Sequence, residues 1–482
     1  MTVNIPNAEL KRLLPPPPAR LLLLTDVPSD LETVWSDLGY DVRTCVVCQA
    51  GEYIQWPTAT REGICQTRVD QPATDASSFN VAIVQGLSPG IHPLALFNEL
   101  NSWLTHDATL LLTGVSHTQD ALRVPHWLDY VIAIGARCGF VEQIIDASEI
   151  PAVDGEFIRV LRRCGEPRWQ LRHVGSQDFE EVAALFQEVF GHPLSRELWA
   201  WKYANGHGNA VVAIRHGEVI AHYGGMYRDI LLSGTPTWAF QACDVMVHPR
   251  ERGVMTKNGP FLLTAAVVAE IYAPLGLGFG FPNSRAMLVA ERMGLYSEVG
   301  HMVSVRWEPS ASGYRWRTRA RVLARDEPVD RAKVQSLWKA MARDLHSSVV
   351  GVRDWEYLEH RYFSHPHNHY ELMMVSARLT GTPLGVVVLR RLEDSCELLD
   401  VIAPLGNLPL LIDQARRVTG LWGLAHLYCW ITKNQAQHFS RCGDGKEDVL
   451  NIRIPASCWT DDSRADVFKD RWWLMSGDTD FR

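Results

Sequence analysis

The residues with the clearest chemical potential lie in a loop near the middle of the chain. An apolar, β-branched strand ends at Val247, and the loop after it supplies positive charge and glycines: Arg250, Arg252, Gly253, Lys257 and Gly259. An apolar helix from Phe261 to Tyr272 follows, with Pro260 at a first helical position that suits proline. Glycines relax the backbone, and a helix start offers free N–H groups and a positive dipole end. The order strand, loop, helix predicts an anion site of the kind that holds a pyrophosphate.

Composition limits the partners of this site. The chain has 482 residues, enough for two to four domains, and its net charge of −8 argues against a nucleic acid or an anionic membrane as partner. Ten cysteines are scattered, and the pair Cys45 and Cys48 has no second pair at zinc-site spacing, so we expect no metal. The sequence shows no signal peptide and no apolar run of the roughly 20 residues that a membrane span needs. We expect a cytoplasmic protein.

The N-terminal region combines a stiff arm with an α/β domain. The arm, residues 1–18, ends in four prolines, and residues 19–163 alternate strands with helices as in a doubly wound sheet. From Phe79 onward the region resembles the latter half of an S-adenosylmethionine-dependent methyltransferase. Where that family binds its cofactor, this chain has Thr25–Asp30 and Cys48-Gln49 instead of a glycine-rich turn and an acidic residue. We expect a methyltransferase-like domain that binds no S-adenosylmethionine; an unrelated α/β domain is the alternative.

Residues 169–308 contain the anion loop within a recognisable order of elements. A helix near Phe179–Phe186 precedes a three-strand meander that ends in Trp238–Val247, and after the loop come a helix, a strand at Gly278–Phe281 and a further helix. This order resembles the GCN5-related N-acetyltransferases (GNATs). Their phosphate loop reads Arg/Gln-x-x-Gly-x-Gly/Ala, and Arg250–Gly253 matches its first four positions, while Met255 replaces the last small residue. The predicted fold is α/β, with a GNAT domain at 167–310.

The resemblance implies acetyl-CoA as the co-substrate and a distribution of roles around it. The backbone of Met246 and Val247 would pair with the pantetheine arm, and an N–H near Val247 would polarise the thioester carbonyl. Asn283 would cap the CoA arm. The pyrophosphate would be held by a loop set: Arg250, Arg252, Gly253, Val254, Met255, Lys257 and Gly259.

Amine acetylation also requires proton transfers. The resemblance places Tyr296, in Gly294-Leu295-Tyr296, as the general acid toward the departing sulfur. The general base stays open among Asp244, His222 and Glu298, each of which could equally make a hydrogen bond within the sheet. Cys243 has no evident activating group, so we expect it to be a buried apolar cysteine.

A weaker echo of the same order of elements occupies residues 330–456. Two strands flank Thr380–Pro383, a third runs from Glu397 to Ile402, and a helix, strand and helix follow. We interpret this as an internal duplication, a second GNAT-like domain. Its loop, Ala403–Pro409, has no arginine and one glycine, so we expect no strong CoA binding. The tail, 457–482, contains Trp472-Trp473-Leu474-Met475, which suggests a docking strand.

The sequence thus predicts an acyl-CoA-dependent N-acetyltransferase that acts on a small-molecule amine by direct transfer. Two alternatives remain. One is acyl transfer to a carrier-protein thiol or a protein lysine. The other is a binding or scaffolding protein whose acetyltransferase folds no longer catalyse. A homodimer is compatible with either.

Overall fold

A computed structural model gives the architecture. The structure describes residues 10–25, 31–49, 67–69, 79–85, 93–115, 127–144, 156–165, 167–252, 259–271, 277–310, 317–457 and 463–481. The chain divides into two compact units. Unit 1 comprises Met1–Pro193, Asn209–Gly224 and Asp244–Pro274, and unit 2 comprises Leu194–Gly208, Gly225–Cys243 and Leu275–Arg482.

The N-terminal sheet of unit 1 has the strand order β3-β2-β1-β4-β5-β7-β6. Its strands are β1 (Arg20–Thr25), β2 (Asp41–Gln49), β3 (Thr67–Val69), β4 (Phe79–Gln85), β5 (Leu104–Val115), β6 (Phe140–Glu142) and β7 (Glu156–Arg163). The helices are α1 (Leu31–Asp37), α2 (Pro93–Trp103) and α3 (Trp127–Arg137). Strands β2, β1, β4 and β5 are parallel, with α1 between β1 and β2 in the chain and α2 between β4 and β5, and β7 runs antiparallel to β5. The sheet is therefore mixed.

The central strands of this sheet are apolar because they are covered on both sides. Leu21–Leu24 of β1 and Val81–Val84 of β4 are buried, which matches their continuous apolar runs. The chain reverses its direction of winding between β1 and β4, as in doubly wound folds.

The remaining part of unit 1 holds the predicted anion loop. It contains β8 (Gln170–His173), α4 (Phe179–Phe190), β9 (Gly208–Arg215), which starts at the unit boundary, and α6 (Pro260–Ile271). Strand β8 pairs antiparallel with β9. Strands β10 (Glu218–Leu232) and β11 (Thr235–Val247) run through both units, with Glu218–Gly224 and Asp244–Val247 in unit 1. Helix α6 is apolar around most of its surface, and it contacts α3.

Unit 2 contains the other ends of β10 and β11 and a second mixed sheet. The further elements are α5 (Arg196–Tyr203), β12 (Gly278–Gly280), α7 (Ser284–Arg292), β13 (Tyr296–Trp307), β14 (Thr318–Val322), α8 (Pro328–Asp344), β15 (Val349–Gly351), α9 (Trp355–Leu358), β16 (Glu371–Ala377), β17 (Pro383–Arg391), β18 (Ser395–Ile402), α10 (Leu408–Leu421), β19 (His426–Thr432), α11 (Gln437–Ser440), β20 (Lys446–Ser457), α12 (Ser463–Phe468) and β21 (Trp472–Trp473). The second sheet has the order β14-β16-β17-β18-β19-β13-β20.

Strand β13 pairs within the second sheet. The sequence pattern places residues up to 310 in the first acetyltransferase-like domain. In the structure, β13 lies between β19 and β20 and is antiparallel to both. Alternation along a strand fixes which residues share a face, but it does not name the neighbouring strand. The region 330–456 therefore completes its sheet with a strand from before residue 310.

Candidate functional site

Strand β11 has a backbone irregularity at Asp244. This residue has a φ of 47°, in the left-handed region that non-glycine residues rarely adopt, yet it lies inside a strand. Its side chain is buried, as is that of Met246, whereas Val245 and Val247 are half-buried. A left-handed residue inside a strand costs free energy and re-aims the neighbouring peptide groups, and such sites concentrate where proteins bind ligands. The predicted cofactor strand therefore has a fixed irregularity.

His222 on β10 holds this irregularity in place. Its Nδ1 lies 2.7 Å from the carbonyl oxygen of Asp244. Because a carbonyl oxygen can only accept, Nδ1 carries the proton and donates. The histidine is 1% exposed, so this bond is shielded from water. One of the three candidate bases, His222, thus holds the backbone of another, Asp244, by a hydrogen bond.

Glu251 anchors the start of the loop, a role that no local sequence pattern indicates. Its carboxylate is buried and accepts hydrogen bonds from Arg215 on β9 and from Trp169 Nε1 at 3.2 Å, and Arg168 lies 3.4 Å away. Burial tends to raise the pKa of Glu251, but the bonds from Arg215 and Trp169 outweigh it and the pKa is lowered. Its partners lie 36 to 83 residues away, so no local motif could show the clamp.

The two predicted loop arginines differ in their contacts. Arg250 is exposed and already engaged, since it donates to Glu218 at 3.0 Å and to Nδ1 of His248 at 3.3 Å. Arg252 uses Nε to bond the Val247 carbonyl at 2.9 Å. Within the part of the chain that the structure describes, its two terminal nitrogens have no hydrogen-bond partner. Arg252 is therefore the arginine with donors left for a phosphate oxygen.

The loop residues Gly253, Val254, Met255 and Lys257 lie outside the described residues. Gly259 is buried directly before α6, and its carbonyl accepts the first bond of the helix, from Leu263 N at 3.0 Å. The N–H groups of Phe261 and Leu262 precede that bond, so they lack an intrahelical acceptor. Together with Arg252 they form a donor set suited to an anion.

Three further candidate residues belong to unit 2. Asn283 caps α7, because its Oδ1 accepts from Ala286 N at 2.9 Å. Tyr296 is half-buried at the first position of β13, paired with Ser457. Glu298, the third candidate base, is bound by Arg453 Nε at 2.6 Å. The structure brings His222, Asp244, Met246, Val247, Arg250, Arg252 and Gly259 into unit 1.

Cys243 lies at the end of the part of β11 that belongs to unit 2. It is buried beside Trp201 and Met226, and the hydroxyl of Tyr203 lies 3.4 Å from its sulfur. Nearby on the same strand, Gln241 contacts Asp480 at 3.4 Å, and that carboxylate pairs with buried Lys202 at 2.8 Å.

Neither a membrane span nor a metal site emerges from the described residues. No helix among them is both long and apolar enough to cross a membrane. No group of three or more His, Cys, Asp or Glu side chains in the same ranges could hold a metal ion.

Comparison with known proteins adds a family match for this region. A family model described as "Acetyltransferase (GNAT) domain" matches residues 170–259, from β8 to the residue before α6. No curated protein sequence matches the chain. The similar solved structures include a conserved Enterococcus faecalis V583 protein described as a "Probable N-Acyltransferase" (11% identity, 60% of this chain and 72% of that chain, TM-score 0.47). GCN5-related N-acetyltransferases from Kribbella flavida (14% identity, 60% and 71%, TM-score 0.44) and Anabaena variabilis (10%, 59% and 72%, TM-score 0.44) are also similar.

Proposed function

We propose that the protein is an acyl-CoA-dependent N-acyltransferase that moves an acetyl group to the amine of a small molecule. One observation carries the proposal: the left-handed Asp244 of β11, whose carbonyl His222 bonds, lies inside the matched GNAT domain and is followed by a clamped arginine turn and a helix start. A left-handed residue inside a strand re-aims the neighbouring main-chain groups, which a ligand can then use, and the turn and helix offer donors to its phosphates.

The donor set fits acetyl-CoA. When bound, acetyl-CoA supplies an acetyl group activated as a thioester. In this proposal, the terminal nitrogens of Arg252 and the first N–H groups of α6 bind the pyrophosphate oxygens. Met246 and Val247 offer main-chain groups of β11 to the pantetheine arm. Glu251 keeps the turn before the loop in place by holding Arg215 and Trp169.

The proton transfers are assigned by the position and chemistry of each side chain. His222 donates Nδ1–H to a backbone carbonyl, so we give it a positioning role. Glu298 is bound by Arg453, and we propose Asp244, on the cofactor strand itself, as the base for the acceptor ammonium. For Tyr296 the proposal rests on its chemistry alone, since a phenol can protonate a departing thiolate. The amide oxygen of Asn283 serves as the cap of α7.

The same proposal covers the flanking regions. The N-terminal sheet is a methyltransferase-like domain without a cofactor, in keeping with its doubly wound strand order. The region around β14–β20 is a second, non-catalytic GNAT-like domain. Neither assignment is needed for the chemistry of the first GNAT domain.

An acetyl-transfer assay with the full chain tests the function. Thiol release from acetyl-CoA is followed over a panel of small-molecule amines, and products are identified by mass spectrometry. We expect amine-dependent CoA release matched by an N-acetylated product. Binding of acetyl-CoA without any transfer, over amines, a carrier protein and lysine peptides alike, would favour the scaffold alternative.

A further inference from the structure

Strands β18 and β19 pair over a short stretch and then lose contact. Their parallel register covers Ser395–Glu397 with His426–Tyr428, while β18 continues to Ile402 and β19 to Thr432. Strand β11 behaves similarly: Phe240–Ala242 pair with Gly278–Gly280, and β11 continues to Val247. In a mixed sheet of this kind, parallel strands that separate leave unpaired main-chain groups in the gap.

The irregularities of the two strands also correspond. In β11 the left-handed Asp244 is the second residue after the paired stretch. In β18 the register against β17 shifts between Leu398 and Asp400, so Leu399 is an extra residue, again the second after the paired stretch. The gap beyond Leu399 is thus the counterpart, within the second GNAT-like domain, of the cofactor strand in the first.

The chain's own C-terminal segment, Trp472–Asp480, lies in that gap. On the β19 side, Thr432 N donates to the Leu474 carbonyl at 3.1 Å, and Met475 forms a bridge with Ile431. On the β18 side, Gly477 approaches so closely that a Cβ added to it would lie 2.9 Å from the Leu399 carbonyl oxygen. The segment therefore contacts both strands where they have separated.

Buried charges fix the segment in this position. Arg353, which is fully buried, bonds Asp400 of β18 at 2.8 Å and Asp478 of the segment at 2.5 Å. Arg361 donates to the main-chain carbonyls of Gly477 at 2.8 Å and Thr479 at 3.0 Å. Removing one partner from such a network leaves an uncompensated buried charge, so the segment is tightly bound.

We propose that Trp472–Asp480 is an internal ligand that fills the second cleft in place of a pantetheine arm, so that the chain holds a single acyl-CoA. The comparison with pantetheine rests on the proposed function. The occupancy of the gap does not depend on the proposed function, because it follows from the contacts of the segment alone. The missing arginine loop after β18 is consistent with a cleft that takes a peptide rather than a pyrophosphate.

Hydrogen exchange of the full chain, with and without acetyl-CoA, tests the inference. We expect peptides covering residues 472–480 to exchange slowly and to be unaffected by acetyl-CoA, whereas the peptide of α6 slows when the ligand is added. Fast exchange of 472–480 in the free protein, or its release by acetyl-CoA, would overturn the inference, as would two acetyl-CoA molecules bound per chain. An α6 peptide that does not respond, beside a slow 472–480 peptide, would contradict the proposed function only.

A matched pair of glycine variants tests the fit of the segment. Gly477→Ala places a methyl group against the Leu399 carbonyl oxygen and the Tyr362 hydroxyl, whereas Gly406→Ala, in the loop after β18, meets nothing within 4 Å. We expect Gly477→Ala to speed exchange of peptide 472–480 by about tenfold or more, because overpacking is destabilising. Gly406→Ala should leave it unchanged. Equal exchange in both variants and the wild type would show that the segment does not fill the gap.

Discussion

The Nδ1 of His222 donates a hydrogen bond to the main-chain carbonyl of Asp244 at 2.7 Å, at the one point of β11 where the backbone turns left-handed. This contact ties the neighbouring strand to the irregularity that shapes the proposed cofactor strand. The bond is buried, and a buried acceptor that loses its donor costs about 1–3 kcal/mol. The hydrogen bond from His222 therefore offsets free energy that the left-handed conformation of Asp244 costs.

Replacing His222 should relax β11. We expect His222→Phe to lower the free energy of unfolding by about 1–3 kcal/mol and to weaken acetyl-CoA binding, because the carbonyl loses its donor. His222→Asn keeps an N–H donor and should recover part of both. Denaturant unfolding and calorimetric titration measure the two effects. Equal acetyl-CoA affinity in the wild type and in His222→Phe would show that His222 does not contribute to the acetyl-CoA site.

The two loop arginines should respond differently to truncation. Arg252→Ala removes the two terminal nitrogens that have no partner among the described residues, and we expect it to weaken acetyl-CoA binding by about tenfold or more, the usual scale for charge-assisted bonds. Arg250→Ala removes an exposed pair with Glu218 and should change affinity far less. Titration of both variants at one salt concentration provides the comparison. The reverse order of effects would place the phosphate at Arg250.

Glu251→Gln should loosen the turn before the loop. The variant keeps the shape of the side chain but removes the charge that Arg215 and Arg168 surround, with an expected loss of about 1–3 kcal/mol. Glu218→Gln, in an exposed pair, serves as the control, with an expected loss of unfolding free energy of about 0–1 kcal/mol. We further expect Glu251→Gln to raise the Kd for acetyl-CoA. Thermal unfolding and titration measure the two effects. Equal stability and equal acetyl-CoA affinity in Glu251→Gln and Glu218→Gln would contradict the clamp.

Acid should destabilise the protein through two half-buried histidines of unit 2. Burial, reinforced by the neighbouring His207, lowers the pKa of His360 to about 4, and burial with the charge of Arg361 lowers that of His365 to about 3. Below the unfolded pKa of about 6.5 the unfolded chain binds protons that the folded chain does not. Stability is therefore complete above pH 6.5 and falls as the pH drops toward 4 and then 3, by up to about 1.4 kcal/mol per pH unit for each histidine.

Denaturant unfolding between pH 8 and pH 4 measures this slope. His360→Asn should flatten it, since one of the two titrating groups is gone. His346→Asn, at an exposed hydrogen-bonded histidine in the same unit, should leave it unchanged. A slope that is the same in the wild type and in His360→Asn would show that His360 binds protons equally in the folded and unfolded chain.

Local pattern predicted several elements of this fold closely. The helix after the loop was expected from Phe261 and runs from Pro260 to Ile271, and the strand expected at Phe79–Gln85 has those bounds. Both are long apolar runs between strong turn signals, which is where periodicity is most informative. Helix α8, Pro328–Asp344, was missed because its apolar positions are spread among charged residues.

The site itself was predictable only in part. The loop and its arginines carry a local spacing, so Arg250 and Arg252 could be named from sequence. The left-handed Asp244, its bond from His222 and the Glu251 clamp depend on residues that only the folded chain brings together. The same holds for β13, whose partners β19 and β20 lie more than a hundred residues later.

Isothermal titration of the full chain with acetyl-CoA tests the central claim most directly. We predict saturable binding with one acetyl-CoA per chain, weakened by Arg252→Ala and little changed by Arg250→Ala. The absence of binding by the folded wild-type protein at millimolar acetyl-CoA would contradict the account.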